Sequence, residues 1–148
     1  MADRMQQGIL AQLVLARAII DPRSLPQLPQ FRNKDGSVSY FTDEVFFDGN
    51  SQGAIMGAAA TAVATDWKRA TLGVPGMNYS TLLQRSTDWA TYAAVMDPAY
   101  PSDADRQLVF GLLQMLWDRG EAGGYVQHLT SNPYPKTPEH QVILAVAF

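Results

Sequence analysis

The chain has 148 residues, 47% of them hydrophobic, and a formal net charge of −3. This length fits a single domain, residues 1–148, and the apolar fraction is sufficient to build a core. Acidic and basic residues are interspersed, which argues against a nucleic-acid or anionic membrane partner. Cysteine is absent, which excludes disulfides and thiolate chemistry.

The first half of the chain predicts two helices, which are separated by an irregular connection and a strand. Apolar residues recur at helical spacing from Asp3 to Ile20, and Pro22 ends the pattern. The predicted apolar positions of this helix are Ile9, Leu10, Leu13, Val14 and Ile20. A proline-rich connection then leads to a strand starting near Val45. From Ala54 to Ala64 a second helix is apolar nearly all round, which predicts that it packs on more than one side.

The second half alternates strand and helix signals. A short strand over Arg69–Val74 ends in the turn Pro75–Asn78. Two helices are expected next, one capped by Ser80 or Thr81 and continuing to Val95, the other starting at the capping residues Ser102 and Asp105. The apolar run Gln141–Phe148 is typical of a buried parallel strand. The predicted fold class is therefore α/β, with about three parallel strands and four or five helices.

The residues Gly49-Asn50-Ser51-Gln52-Gly53 form the pattern G-x-S-x-G between a predicted strand and a predicted helix. This is the context of a nucleophile elbow, a tight turn that pushes a serine hydroxyl out above the sheet edge. We expect a side chain at Gly49 or Gly53 to collide with the neighbouring strand or helix. The Gln52 amide would start the helix and stabilise an oxyanion. The alternative is an ordinary strand-to-helix connection in which Ser51 is the N-cap.

The order of strand, elbow, buried helix, strand, helical insertion and strand resembles the central part of the α/β-hydrolase fold family over nearly the whole chain. The resemblance implies hydrolysis of a small-molecule ester by Ser51, without a cofactor or metal. It also implies that Met77, Asn78 and Tyr79 lie at the substrate pocket. In that family the acid, the histidine and a second oxyanion amide lie outside the portion matched here. The chain therefore looks like the middle of a larger hydrolase, with an incomplete triad.

Two histidines are available as a general base. His128 lies on a predicted helical segment and is the stronger candidate, although a surface or partly packed histidine is the ordinary alternative. His140 precedes the last strand, at the sheet end away from Ser51. The spacing of the two histidines matches no metal-ligand motif.

The predicted three-stranded sheet has two unpaired edges, which predicts completion by a homo-oligomer, most simply a dimer. Two functions remain open at this point. The first is a promiscuous serine ester hydrolase, and the second is a catalytically incomplete fragment that acts as a self-associating structural module. No stretch approaches the ~20 apolar residues of a membrane span, and the opening Met1–Gln7 does not have the pattern of a signal peptide. The sequence thus predicts a cytoplasmic protein with no membrane partner.

Overall fold

The computed structural model describes residues 2–146. Within them, the α-helices α1 to α5 lie at Ala2–Ile20, Gln52–Ala62, Tyr79–Arg85, Trp89–Ala99 and Asp103–Trp117. The strands β1 to β3 lie at Phe47–Asn50, Arg69–Gly73 and Gln141–Ala145. Short 3-10 helices lie at Leu25–Gln27, Pro29–Phe31, Ala122–Gly124 and Val126–His128. The end of the predicted last strand, residues 147–148, lies outside the described residues.

The three strands form one parallel sheet in the order β1-β2-β3. This confirms the predicted α/β class. In the register of the sheet, Asn50 is opposite Gly73, and Gly73 is opposite Ala145. The carboxyl ends of all three strands therefore meet at one edge of the sheet, where β1 continues directly into the turn at Ser51.

Helix α2 is the centre of the fold, because it contacts α1, β1 and β2. Its small side chains allow this close packing on several sides, as the apolar pattern predicted. The buried residues of α2 are Ala54, Gly57, Ala58, Ala59, Ala60, Thr61 and Ala62. Phe47 of β1 stacks on Trp67 at 5.6 Å between ring centroids. A salt bridge of 2.5 Å between Arg17 and Asp66 ties α1 to the segment that follows α2.

The predicted apolar face of α1 is partly wrong. Ile9 is 7% exposed and Ala16 is 3% exposed, whereas Leu10 is 50% and Val14 is 59% exposed. The reason is that α1 packs on α2 along a narrow stripe. Helix α1 also contacts the 3-10 helix Leu25–Gln27, but Leu10 and Val14 remain exposed.

The helical insertion between β2 and β3 differs from the prediction in two details. Asn78, and not Ser80 or Thr81, is the N-cap of α3. The single helix expected up to Val95 is divided into α3 and α4 by the residues between Arg85 and Trp89. The cap of α5 is confirmed, since Ser102 Oγ accepts a hydrogen bond from the Asp105 amide at 3.4 Å.

The prediction that the last apolar run is a buried strand is wrong. Ile143 is 66% and Leu144 is 56% exposed. Because neighbouring residues of a strand point to opposite faces, both faces of β3 are open to solvent here. Among the described residues no strand pairs with the outer edge of β3. A continuous apolar run can form either a buried central strand or an exposed edge strand. The sequence of this run therefore did not show which of the two β3 is.

His140 is the buried histidine of the fold, with only 3% of its surface exposed. Neither ring nitrogen has a hydrogen-bond partner within residues 2–146. Burial lowers the pKa of His140, and nearby backbone groups of Ala64, Leu129 and Trp67 oppose this shift without reaching hydrogen-bond geometry. The side chain is therefore held in its neutral form.

This burial predicts that the protein loses stability as the pH falls. Because the folded state binds the His140 proton more weakly than the unfolded state, whose pKa is near 6.5, protonation favours unfolding. We expect urea unfolding to show a lower free energy at about pH 5 than at about pH 7.5. His140→Phe should remove this component, whereas His128→Phe should retain it. Equal pH slopes in His140→Phe and the unaltered chain would contradict the prediction.

Candidate active site

Ser51 lies at the turn between β1 and α2, with backbone angles φ 55° and ψ −121°. A residue with a side chain adopts a positive φ only at a cost of about 1–3 kcal/mol. The turn is held by hydrogen bonds, since the Ser51 amide donates to Gly73 O at 2.8 Å and the Ser51 carbonyl accepts from the Ala54 amide at 2.9 Å. A serine with a positive φ between a strand and a helix is the backbone geometry that the elbow prediction requires.

The glycines that flank Ser51 have different roles. A Cβ at Gly49 would collide with the carbonyl group of Gly53, lying 2.7 Å from its carbon atom. A Cβ at Gly53 would meet nothing within 4 Å. The prediction that both positions exclude a side chain is therefore correct for Gly49 and wrong for Gly53. Gly53 takes part in the close contact only through its backbone.

The Ser51 hydroxyl is not used to cap α2. No side-chain cap hydrogen bond is present at Ser51, and the residue is exposed. The N-cap alternative therefore lacks the interaction on which it depends. Among the described residues, no group accepts a hydrogen bond from the Gln52 amide, the first amide of α2. The hydroxyl and this amide are both available at the positive end of the helix dipole.

The segment after β2 begins beside Ser51 and ends at α3. Met77 is 51% exposed and Asn78 is also exposed. The Tyr79 ring packs on the Trp117 ring of α5, with 5.6 Å between ring centroids. Burial, and then the charge of Glu121, raise the pKa of the Tyr79 phenol. Of the predicted pocket residues, Met77 and Asn78 are thus accessible and Tyr79 is half-buried in the insertion.

The structure does not bring a base into contact with Ser51. Within residues 2–146, no hydrogen bond joins the Ser51 hydroxyl to any side chain, and His128 Nδ1 lies 2.7 Å from Asn132 O. The His128 ring packs on Tyr134 with 4.0 Å between centroids. His140 is buried at the amino end of β3, the opposite end of the sheet from Ser51. His128 as the base stays a prediction.

Other features of the described residues give no second chemical site. No group of three or more histidine, cysteine or carboxylate side chains converges there in a way that could hold a metal ion. A cavity of about 310 Å³ lies at the amino ends of the strands, between residues such as Phe46, Arg69 and Ile143. It does not include Ser51.

The sequence-based reasoning missed one polar cluster close to Asn78. Glu121 is fully buried, and its carboxylate is hydrogen-bonded to the Gln114 side chain, which is also bonded to Asp118. The three residues follow one another at i, i+4 and i+7, which places them on one side of α5 and of the turn that follows it. Polar residues at helical spacing beside the buried Phe110 and Trp117 were the signal that could have revealed this cluster.

Comparison of the chain with protein-family models, with curated proteins and with solved structures gives no match. None of the helices within residues 2–146 combines the length and the apolar character needed to cross a lipid bilayer. The functional reading of the site therefore depends on its own geometry.

The two glycines of the turn predict opposite effects of the same substitution. Gly49→Ala should lower the free energy of unfolding by about 2–4 kcal/mol, because the new methyl group meets the Gly53 backbone. Gly53→Ala should leave it unchanged or raise it by up to about 1 kcal/mol, because alanine favours a helix and finds open space. Urea denaturation measures both values. Similar losses in the two variants would contradict the close approach at Gly49.

Proposed function

We propose that this chain is a serine hydrolase that cleaves carboxylic esters, with Ser51 as the nucleophile. The observation that carries the proposal is the strained turn at Ser51, where the serine is exposed and its hydroxyl forms no hydrogen bond that caps α2. In the proposed reaction, Ser51 Oγ attacks the ester carbonyl carbon, and the alcohol leaves with a proton. Water then hydrolyses the acyl-enzyme. An α/β-hydrolase relationship is part of this proposal.

The Gln52 amide is the proposed oxyanion donor. It is the first amide of α2 and has no acceptor among the described residues. A tetrahedral intermediate formed on Ser51 would place its negative oxygen near this amide and near the positive end of the helix dipole. Gln52 thus supplies one donor through its backbone, so its side chain is free to vary.

His128 is the proposed base. Its Nδ1 lies 2.7 Å from the Asn132 carbonyl oxygen, which accepts a hydrogen bond if Nδ1 carries the proton. That tautomer leaves Nε2 as the basic nitrogen. Because His128 makes no contact with Ser51 in the structure, proton transfer requires the two side chains to approach. We therefore propose slow, promiscuous turnover that is confined to activated small-molecule esters.

A self-associating structural module is the second candidate, and the exposed edge of β3 favours it. This strand carries no charged residue or proline from Gln141 to Ala145, so nothing protects its edge from pairing. We propose a homodimer in which two β3 strands pair antiparallel about a two-fold axis at Ile143. Val142 of one protomer would then be opposite Leu144 of the other. Strand β1 is less suitable because it carries Asp48. The cytoplasmic location stays a prediction from the sequence.

Hydrolysis of p-nitrophenyl acetate tests the first candidate. We expect slow turnover by the purified chain and a fall to the uncatalysed rate in Ser51→Ala, because this change removes the nucleophile and leaves the turn intact. His128→Gln should lower kcat by about tenfold or more if His128 is the base.

Ser131→Ala, at an exposed loop serine, is the matched control and should keep full activity. Mass spectrometry after treatment with a fluorophosphonate should locate a single adduct on Ser51. Turnover that persists in Ser51→Ala, or its absence in the unaltered chain, would exclude the proposed hydrolase.

Sedimentation equilibrium tests the proposed dimer. The unaltered chain should be dimeric at micromolar concentration, and Ile143→Lys should be monomeric, because the two-fold axis would bring two lysines directly opposite each other. Ile143 is already 66% exposed, so folding should tolerate the change.

Val95→Lys introduces the same charge at a residue of α4 that is 75% exposed and should remain dimeric. A monomeric unaltered chain would exclude self-association. A dimer that survives Ile143→Lys would exclude the β3 edge as its interface.

A further inference from the structure

Glu121 is a carboxylate without any exposed surface. Within the described residues it forms no salt bridge with a lysine or arginine. Its two oxygens have separate donors, since Oε1 accepts from Gln114 Nε2 at 2.5 Å and Oε2 accepts from the Gly123 amide at 2.9 Å. A buried carboxylate that is satisfied only by neutral donors is expensive to bury, so its position requires an explanation.

The Gln114 side chain extends this interaction to helix α3. Its Nε2 also donates to Asp118 Oδ1 at 2.6 Å, and its Oε1 accepts from the Ser80 amide at 3.0 Å. One neutral side chain therefore links two carboxylates to the first turn of α3. Both polar atoms of the Gln114 side chain form hydrogen bonds. A change at Glu121 that moves this side chain therefore also alters its hydrogen bond with the Ser80 amide.

The Asn78 side chain also lies next to the Glu121 carboxylate. A Cβ at Gly123 would lie 2.5 Å from Asn78 Oδ1 and 2.8 Å from Glu121 Oε1. The Asn78 side chain thus packs over the Gly123 backbone, next to the Glu121 carboxylate. Asn78 is the last residue of the segment Val74–Asn78, which we call the β2–α3 loop, and Ser80 lies just beyond it in the first turn of α3.

Both ends of the β2–α3 loop are connected to the elbow. At its start, Gly73 O accepts the hydrogen bond from the Ser51 amide at 2.8 Å. At its other end, Asn78 lies next to Glu121. The residue after Glu121, Ala122, is buried in one cluster with Ala54 and Leu72. Ala54 lies in the first turn of α2, three residues after Ser51. The Glu121 cluster is thus built onto the same core that supports Ser51.

We infer that Glu121 is a positioning residue, which fixes the β2–α3 loop as a wall of the substrate pocket beside Ser51. This inference rests on the proposed function in one respect, because the loop borders a pocket only if Ser51 binds an ester. Met77 and Asn78 are exposed on this loop, and they would contact the acyl or alcohol group. Glu121 itself touches no substrate and acts through Gln114 and Gly123.

Glu121→Gln tests this role with little change of shape. The new amide nitrogen must face either Gln114 Nε2 or the Gly123 amide, both of which are donors, so one hydrogen bond is lost. We expect hydrogen exchange to be about tenfold faster or more in peptides covering Val74–Leu82, and unchanged in peptides covering α2. For p-nitrophenyl esters, we expect the ratio of kcat/KM between butyrate and acetate to change about threefold or more, mainly through KM.

Glu139→Gln is the matched control, since Glu139 is exposed at the amino end of β3. It should change neither measurement. Gln114→Met breaks the same connection one step closer to Ser80, and it replaces Glu121→Gln if that variant does not fold. Unchanged exchange in the loop, or a uniform increase over the whole chain, would overturn the positioning role. An equal fall in kcat/KM for both esters would overturn its effect on the pocket.

The two readouts separate this inference from the proposed hydrolase. If the unaltered chain has no esterase activity, the proposed function and the pocket fail together. Hydrogen exchange still decides whether Glu121 fixes the loop, because it needs no substrate. If Ser51-dependent turnover is present and the loop does not respond to Glu121→Gln, only the inference about Glu121 fails.

Discussion

The close approach of the first turn of α2 to strand β1 is the constraint on which the site depends. The backbone of Gly49 lies against the carbonyl group of Gly53, and no side chain fits between them. At this separation β1 passes into α2 through the single residue Ser51, which takes a positive φ. The strain at Ser51 is of the order of 1–3 kcal/mol. The packing of α2 against β1, β2 and α1 offsets it.

The same close packing sets the character of the core. Helix α2 can approach the sheet because its buried residues are five alanines, Gly57 and Thr61, with no large side chain among them. Among the described residues, the largest fully buried side chains are Leu72, Glu121 and Thr61, two of which are polar. Apolar burial scales with area, so a core of small residues contributes less per position than one of leucine and phenylalanine. The Glu121 cluster adds polar contacts that join α5 and the turn after it to the start of α3.

Sequence reasoning recovered the features that local chemistry specifies. The tight turn at Ser51 followed from a glycine pattern between two periodic segments, and the central place of α2 followed from a helix without a polar face. It did not recover features that depend on distant neighbours. The cap of α3 could be Asn78, Ser80 or Thr81 by residue type alone, and the helix begins after Asn78 without a side-chain capping hydrogen bond. The exposure of Ile143 depends on what lies beyond β3, and its own sequence carries no such information. Likewise, Glu121 and Asn78 are far apart in the chain and meet only through the fold.

The connectivity of the sheet also bears on how it assembles. Strand β1, helix α2 and strand β2 follow one another with short connections, so their contacts form at little cost in chain entropy. Strand β3 joins β2 only after the whole insertion α3 to α5 has been traversed. Non-local parallel pairing of this kind is slow to form. The contacts around Ser51 are therefore the local ones of the sheet, whereas the pairing of β3 depends on closing the whole insertion.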